Sequence, residues 1–258
     1  MQGNTPNWIG VLTVYHREVW RFSKVWNQTL ISPIISTLLF LAVLTLAMGE
    51  NKRTVGDLPF DVFVAPGLVM MAVVQNAFAN SSSSLMLAKI QGVIIDILMP
   101  PLKGWEITLG IVAGGITRGL AVGVGVMLAM YVFVPFTIYY PFIGFYYVVM
   151  ASMMLALLGM LGGIYAQGFD QLSAFTNYLV TPLSFLSGTF YSIQQLPPFW
   201  QNISYYNPFF YMIDGFRFAL TGHSDGDVFV GMILLAVVNI VLSWIVQRLF
   251  SQGWRLRS

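Results

Sequence analysis

From Gly119 to Phe169 the chain carries no Asp, Glu, Lys or Arg. One helix crosses a bilayer in about 20 apolar residues, so this run of roughly fifty must hold two crossings and a turn. The turn is VPFTIYYP, where Pro135 and Pro141 flank aromatic rings suited to the membrane–water interface. Such a stretch folds in lipid, where helices satisfy their own backbone hydrogen bonds. Composition agrees. Only 9% of the residues are charged and 57% are apolar, against about 25% charged in soluble domains. The absence of cysteine excludes disulfides, thiol catalysis and Cys-based metal sites.

Six segments have the length and character of crossings: 29–48, 61–82, 106–132, 141–166, 173–190 and 228–249. The chain therefore reads as an all-α integral membrane protein, a single domain over 1–258. Basic residues near span ends set orientation. With the N-terminus inside, the inner side holds Arg17, Arg21, Lys24, Lys89, Lys103, Arg248, Arg255 and Arg257, and the outer side Lys52, Arg53 and Arg217. Both termini are thus expected on the cytoplasmic side. MQGNTPNW lacks the pattern of a cleaved signal, so the first segment is expected to be retained.

Residues 5–27 precede the first crossing. Trp8, Leu12, Tyr15, Val19, Phe22 and Trp26 recur at steps of three or four, with His16, Arg17, Glu18, Arg21 and Lys24 largely on the other face. That spacing predicts an amphipathic helix lying in the membrane interface. A plain lead-in whose charges only set topology is the alternative. Between spans two and three, the loop 86–101 repeats the theme. Ile90, Val93, Ile94, Ile97 and Leu98 share a helical face, with Lys89, Gln91 and Asp96 off it, and Pro100-Pro101 stops the helix. The pattern fits docking into a partner's groove or lying flat on the membrane, and leaves both open.

Polar residues inside spans are costly and need partners. Span two carries Gln75, Asn76 and Asn80, and Asn76, Asn80 and Ser83 share a face. That face is expected to meet another helix rather than a substrate path. Span three has Gly115, Gly119 and Gly123 at steps of four, a pattern for close helix approach. Arg118 lies about 16 Å along the same span at 1.5 Å per residue. Its candidate partners are Glu106, Asp170 or a backbone carbonyl.

No phosphate-loop, GxSxG or HExxH motif appears, nor an acidic metal cluster. No catalytic residue, metal site or directly bound cofactor is expected, and no nucleic-acid partner. The stretch FLSGTFYSIQQLPPFWQNISYYNPFFYMIDGFR, Phe185 to Arg217, is different. Pro197, Pro198 and Pro208 forbid one regular helix, while Phe199, Trp200, Tyr205, Tyr206, Phe209, Phe210 and Tyr211 seek burial or the interface. A helical hairpin over 191–222, re-entering the outer leaflet between spans five and six, meets both demands. The alternative is a surface loop on the headgroups. Asp214 and Arg217, three apart, are expected to pair at its inner end.

PLSFLSGTFYSIQQLPPFWQNISYYNPFFYMIDGFR resembles the signature of ABC-2 type transporter permeases, in their YadH/NodJ-like branch. WNQTLISPIISTLLF, FVAPGLVMMAVVQNAFANSSSS, IIDILMPPLKGW and QGWRLRS extend the resemblance over nearly the whole chain. Asp96 departs from it, since relatives more usually carry glutamate. The resemblance implies half of an ATP-binding cassette exporter in a bacterial inner membrane. Two permease copies, a homodimer in the simpler case, would sit among membrane lipids above two separate ATPase subunits that hold ATP and Mg. Substrates of such exporters are amphipathic, lipid-linked or saccharide-containing. It further implies that Lys89, Gln91, Ile94, Asp96, Leu98, Pro100 and Pro101 form a cytoplasmic coupling helix. Phe190, Tyr191, Leu196, Pro197, Pro198, Phe199, Trp200, Asn207 and Pro208 would form an outer gate. Gln75, Asn76, Asn80, Arg118, Asp214 and Arg217 are the intramembrane polar positions. An ion-coupled carrier or channel is the alternative, with Arg118 its main candidate.

Overall fold

The computed structural model describes residues 6–47, 54–55, 58–93, 102–135 and 137–252. Helix α1 (Trp8–Ser23) leads through a π-helical turn (Asn27–Ile31) into α2 (Ser32–Ala47). A short hairpin pairs β1 (Thr54–Val55) with β2 (Leu58–Pro59). Helices α3 (Phe60–Ile90), α4 (Gly104–Tyr131) and α5 (Pro141–Tyr165) follow. Next come α6 (Phe169–Phe175), a second π-helical turn (Thr176–Val180) and α7 (Thr181–Phe185). After a 3-10 turn (Ile193–Gln195), α8 (Pro198–Tyr205), α9 (Pro208–Thr221) and α10 (Val228–Gln252) complete the fold.

Five helices among the described residues have the length and composition to cross a membrane: Asn27–Leu46, Phe60–Ile90, Gly104–Tyr131, Pro141–Tyr165 and Val228–Phe250. They match five of the six predicted crossings. The segment predicted over 173–190 is helical from Phe169 to Phe185, displaced toward the N-terminus, with a π-helical turn between its two α-helical ends. That turn has an identifiable cause. The N–H of Thr181 reaches back five residues to Thr176 O, and the next residue, Pro182, has no N–H to restore the ladder.

Helices α3 and α5 form the centre, each with 72% of its apolar window buried, whereas α2 and α10 bury only 17%. Short α9 is nonetheless buried continuously from Phe209 to Arg217, packed on α3, α5 and α10. Its ends are well marked. Asn207 Oδ1 accepts from Phe209 N, Pro208 supplies the first helical position, and Gly222 terminates the helix in the left-handed region at φ 74°. The turn at VPFTIYYP is anchored by Tyr139 N and Tyr140 N, both donating to Ala219 O.

The glycine stripe of α4 is a close-packing device, as its spacing predicts. A β-carbon at Gly119 would stand 2.6 Å from Ser152 Oγ on α5, and one at Gly115 would stand 2.9 Å from the Ala156 side chain. Gly119→Leu is expected to lower stability by about 1–3 kcal/mol through overpacking. Exposed Val124→Leu should leave the midpoint of thermal unfolding in detergent unchanged.

Two sequence expectations change. The stripe of α1 that meets protein is Val11, Val14, Glu18 and Phe22, with Glu18 fully buried, while Trp8, Leu12, Trp20 and Trp26 stay exposed. The helix is amphipathic, but one of its charges points inward because polar partners await it there. Second, residues 86–90 of the expected loop helix continue α3, which stops where Gly92 turns to φ 71°. Ile94, Asp96, Leu98, Pro100 and Pro101 lie outside the described residues, as do Lys52, Arg53, Arg255 and Arg257.

Candidate functional site

The polar stripe of α3 meets cations at successive turns. Arg118 Nη2 on α4 donates to Asn76 Oδ1 at 3.0 Å. One turn on, Arg21 Nη2 on α1 donates to Asn80 O at 2.6 Å and Asn80 Oδ1 at 3.1 Å, while its Nη1 donates to Ser83 Oγ at 2.9 Å. The buried carboxylate of Glu18 accepts from Arg17 (2.9 Å), Arg21 (2.8 Å), Ser84 Oγ (2.6 Å) and Asn80 Nδ2 (3.4 Å). The expected helix–helix contact is therefore present, and Arg118 takes an amide partner rather than Glu106 or Asp170. Glu106 is already committed. Its two oxygens accept Asn7 N and Lys103 N, each at 2.7 Å, tying the start of α1 to the start of α4.

Beside this stripe lies a cavity of about 530 Å³ between α2, α3 and α7. Gln28, Ser32, Ser36, Thr37, Gln75, Asn76 and Thr181 give it a hydrogen-bonding wall, and among the described residues no Asp, Glu, Lys, Arg or His lines it. Toward the C-terminal end of α2 the lining becomes Phe40, Leu68, Met71, Phe185 and Phe190. The Phe40 and Phe190 rings stand 5.6 Å apart and Phe185 and Phe190 5.9 Å, closing that end with aromatic contacts. Gln75 and Asn76 are thus at this cavity as well as on the polar stripe. The α2 contribution went unread in the sequence, although Gln28, Ser32, Ser36 and Phe40 recur every four residues.

The irregular stretch after α7 is held from beneath by a buried ion pair. Arg217 Nη1 lies 3.5 Å from Asp214 Oδ1, both side chains fully or almost fully buried. Arg217 Nε donates to Phe63 O at 3.1 Å and Nη2 to Gly188 O at 2.7 Å, with the guanidinium 3.8 Å from the Phe63 ring centroid. Asp214 in turn accepts Asp225 N and Gly226 N, both at 2.9 Å. The pair expected from the i,i+3 spacing is present, and it joins α3, α9 and two turns.

The gate candidates separate into groups. Phe190 lines the cavity, Tyr191 Oη donates to Phe185 O, and Leu196 packs on the small core of Ile193, Phe210 and Tyr211. Asn207 Nδ2 donates to Leu183 O, fastening Pro208 and the start of α9 to α7. Pro197, Pro198, Phe199 and Trp200 are exposed. Of the coupling candidates, Lys89 donates its ammonium to Ile164 O and Ala166 O at the end of α5. Gln91 is exposed beside Gly92. These residues do not converge with the gate candidates.

The sequence was compared with known families and proteins. The model of the ABC-2 type transporter family matches residues 10–221. The chain is 35% identical over 251 residues to the inner membrane transport permease YadH of Escherichia coli (strain K12), covering 97% of this chain and 98% of that protein. It is 25% identical to nodulation protein J of Neorhizobium galegae, over 86% of this chain and 84% of that one. The corresponding protein of Rhizobium leguminosarum bv. trifolii is 24% identical, over 88% and 86%.

Proposed function

This chain belongs to the ABC-2 type transporter family, and from that premise we propose that it is the permease half of an ATP-driven exporter. As a multi-pass inner-membrane transport protein it works with a separate ATPase. Two copies of the permease, a homodimer, stand above two copies of that subunit. The termini face the cytoplasm, and the helical run 169–185 makes the fifth of six crossings. The hairpin over 191–222 re-enters from the outer side as a gate. The stretch around Lys89 to Pro101 couples to the ATPase, which binds ATP and Mg.

One observation carries this reading. Gln75 is exposed midway along α3, a helix otherwise mostly buried, on a cavity wall of amides and hydroxyls. Acyl chains offer such groups no hydrogen bond, so a polar face at this depth is covered by protein or water. A second copy placed against α2, α3 and α7 supplies that cover and encloses an uncharged polar path beneath the Phe40–Phe185–Phe190 cluster. Such a path suits substrates with hydroxyl-rich and apolar parts, lipid-linked or saccharide-containing. Export requires that the two permease states make different contacts, one favoured when ATP draws the ATPases together.

Purification of the tagged protein from its native membrane in a gentle detergent tests the proposal. A phosphate-loop ATPase is expected to co-purify in stoichiometric amount. Recovery of the permease without an ATPase in several detergents would overturn the proposal and turn attention to ion-driven transport through Arg118.

A further inference from the structure

Two guanidinium groups beside the polar stripe have donors left over. Arg21 Nε and Arg118 Nε are both buried, and neither has a hydrogen-bond partner among the described residues. Their Nη atoms grip Asn80 and Asn76, one helical turn apart on α3, so both forks work on the same stretch of that helix. The charges do not balance. Arg17 and Arg21 share one carboxylate, Glu18, whose oxygens also take Ser84 and Asn80. Among the described residues Arg118 bonds an amide and no carboxylate. A guanidinium at membrane depth without an anion is costly, and buried N–H groups without acceptors add to that cost. Access remains, since the Arg21 side chain is 27% exposed and Arg118 is only partly buried.

We propose that Arg21 and Arg118 form a binding site for a phosphate group. A tetrahedral phosphate offers acceptors in several directions and can take one donor from each fork, as paired arginines commonly arrange. The bound group neutralises the surplus charge through the accessible part of each side chain. Asn76 separates the site from the cavity by a single side chain, so a phosphate held there places an attached acyl or glycosyl part beside the hydrogen-bonding wall. The chemistry is the same for a lipid headgroup and for free phosphate.

The test uses the full chain in a neutral maltoside detergent, with dodecyl phosphate as the probe and thermal unfolding as the readout. The wild type is expected to show a saturable rise in midpoint. Arg118→Gln is expected to weaken binding about tenfold or more, the effect of losing a charged hydrogen bond. Asn76→Asp guards against simple misfolding, because it gives Arg118 an internal counter-ion. It is expected to keep or raise the unliganded midpoint while abolishing the response to dodecyl phosphate. Competition by inorganic phosphate would assign the site to the free anion. Binding of dodecyl phosphate without such competition would assign it to a lipid headgroup. No response in the wild type, or an undiminished response in folded Asn76→Asp, overturns the proposal.

Discussion

Arg217→Leu is expected to destabilise the folded permease by about 3–5 kcal/mol, the usual consequence of leaving a buried charge without its partner. The side chain is fully buried, and its donors end on groups from three places in the chain: Phe63 O, Gly188 O and Asp214. Leucine fills part of the volume and satisfies none of them. Arg217→Lys is expected to lose less, because the charge stays beside Asp214, but one ammonium cannot reach both carbonyls in the planar geometry of the fork. The double variant Asp214→Leu, Arg217→Leu should lose less than the sum of the single variants, since removing both charges leaves neither stranded. Thermal unfolding midpoints of the four purified proteins measure this directly. Strict additivity would show that the ion pair holds nothing together, and that each residue acts through its own backbone hydrogen bonds and packing.

That outcome would also say where the irregular stretch after α7 gets its shape. Its three prolines explain why it is not one helix, but not why it adopts a single arrangement. Arg217 reaches the turn at Gly188, Asp214 holds the backbone of Asp225 and Gly226, and Asp225 Oδ2 accepts Ile193 N. A chain of polar contacts thus runs under the stretch from α7 to the start of α10. Most of it ends on backbone groups, and backbone acceptors leave no mark in a sequence.

The same distinction separates what was legible in this chain from what was not. Hydropathy and length located four of the five candidate spans to within about two residues at each end and ended the second, 61–82, eight residues short of Ile90, because apolar helices need no partner to announce themselves. The i,i+3 spacing of Asp214 and Arg217 named a real pair, since both partners stand on one helix. The glycine steps of α4 named a real close approach. Arg118 could be picked out but not paired, because Asn76 comes from a different helix and an amide is not an obvious counterpart for a cation. Glu18 was misplaced for a related reason. Its helix pattern put it on the water-facing side, and only tertiary packing reveals that Asn80, Ser84 and Arg21 converge on it. The span 173–190 follows from continuous apolar composition, whereas the helix runs from Phe169 to Phe185 and widens into a π-helical turn just before Pro182.

Glu18 carries the second large effect. Glu18→Ala is expected to destabilise the fold by about 3–5 kcal/mol, because four donors on α1 and α3 lose one common acceptor. The loss should concentrate at α1. That helix is held along Val11, Val14, Glu18 and Phe22, and Gly114 lets α4 approach so closely that a β-carbon there would stand 2.4 Å from Glu18 Cβ. Hydrogen exchange of the α1 amides is therefore expected to accelerate far more than exchange in α5. Glu18→Gln makes the sharper comparison, since it keeps the shape but puts an amide N–H₂ among arginine and asparagine donors. If the carboxylate matters by its charge, Gln should behave much like Ala. If Glu18 matters only as filled volume against Gly114, Gln should behave like the wild type. The first result would make α1 a lever fixed to the polar stripe, so that its movement is felt at Asn80 and, one turn away, at Asn76 and the cavity wall. The second would reduce it to a helix packed on the bundle by its apolar side chains.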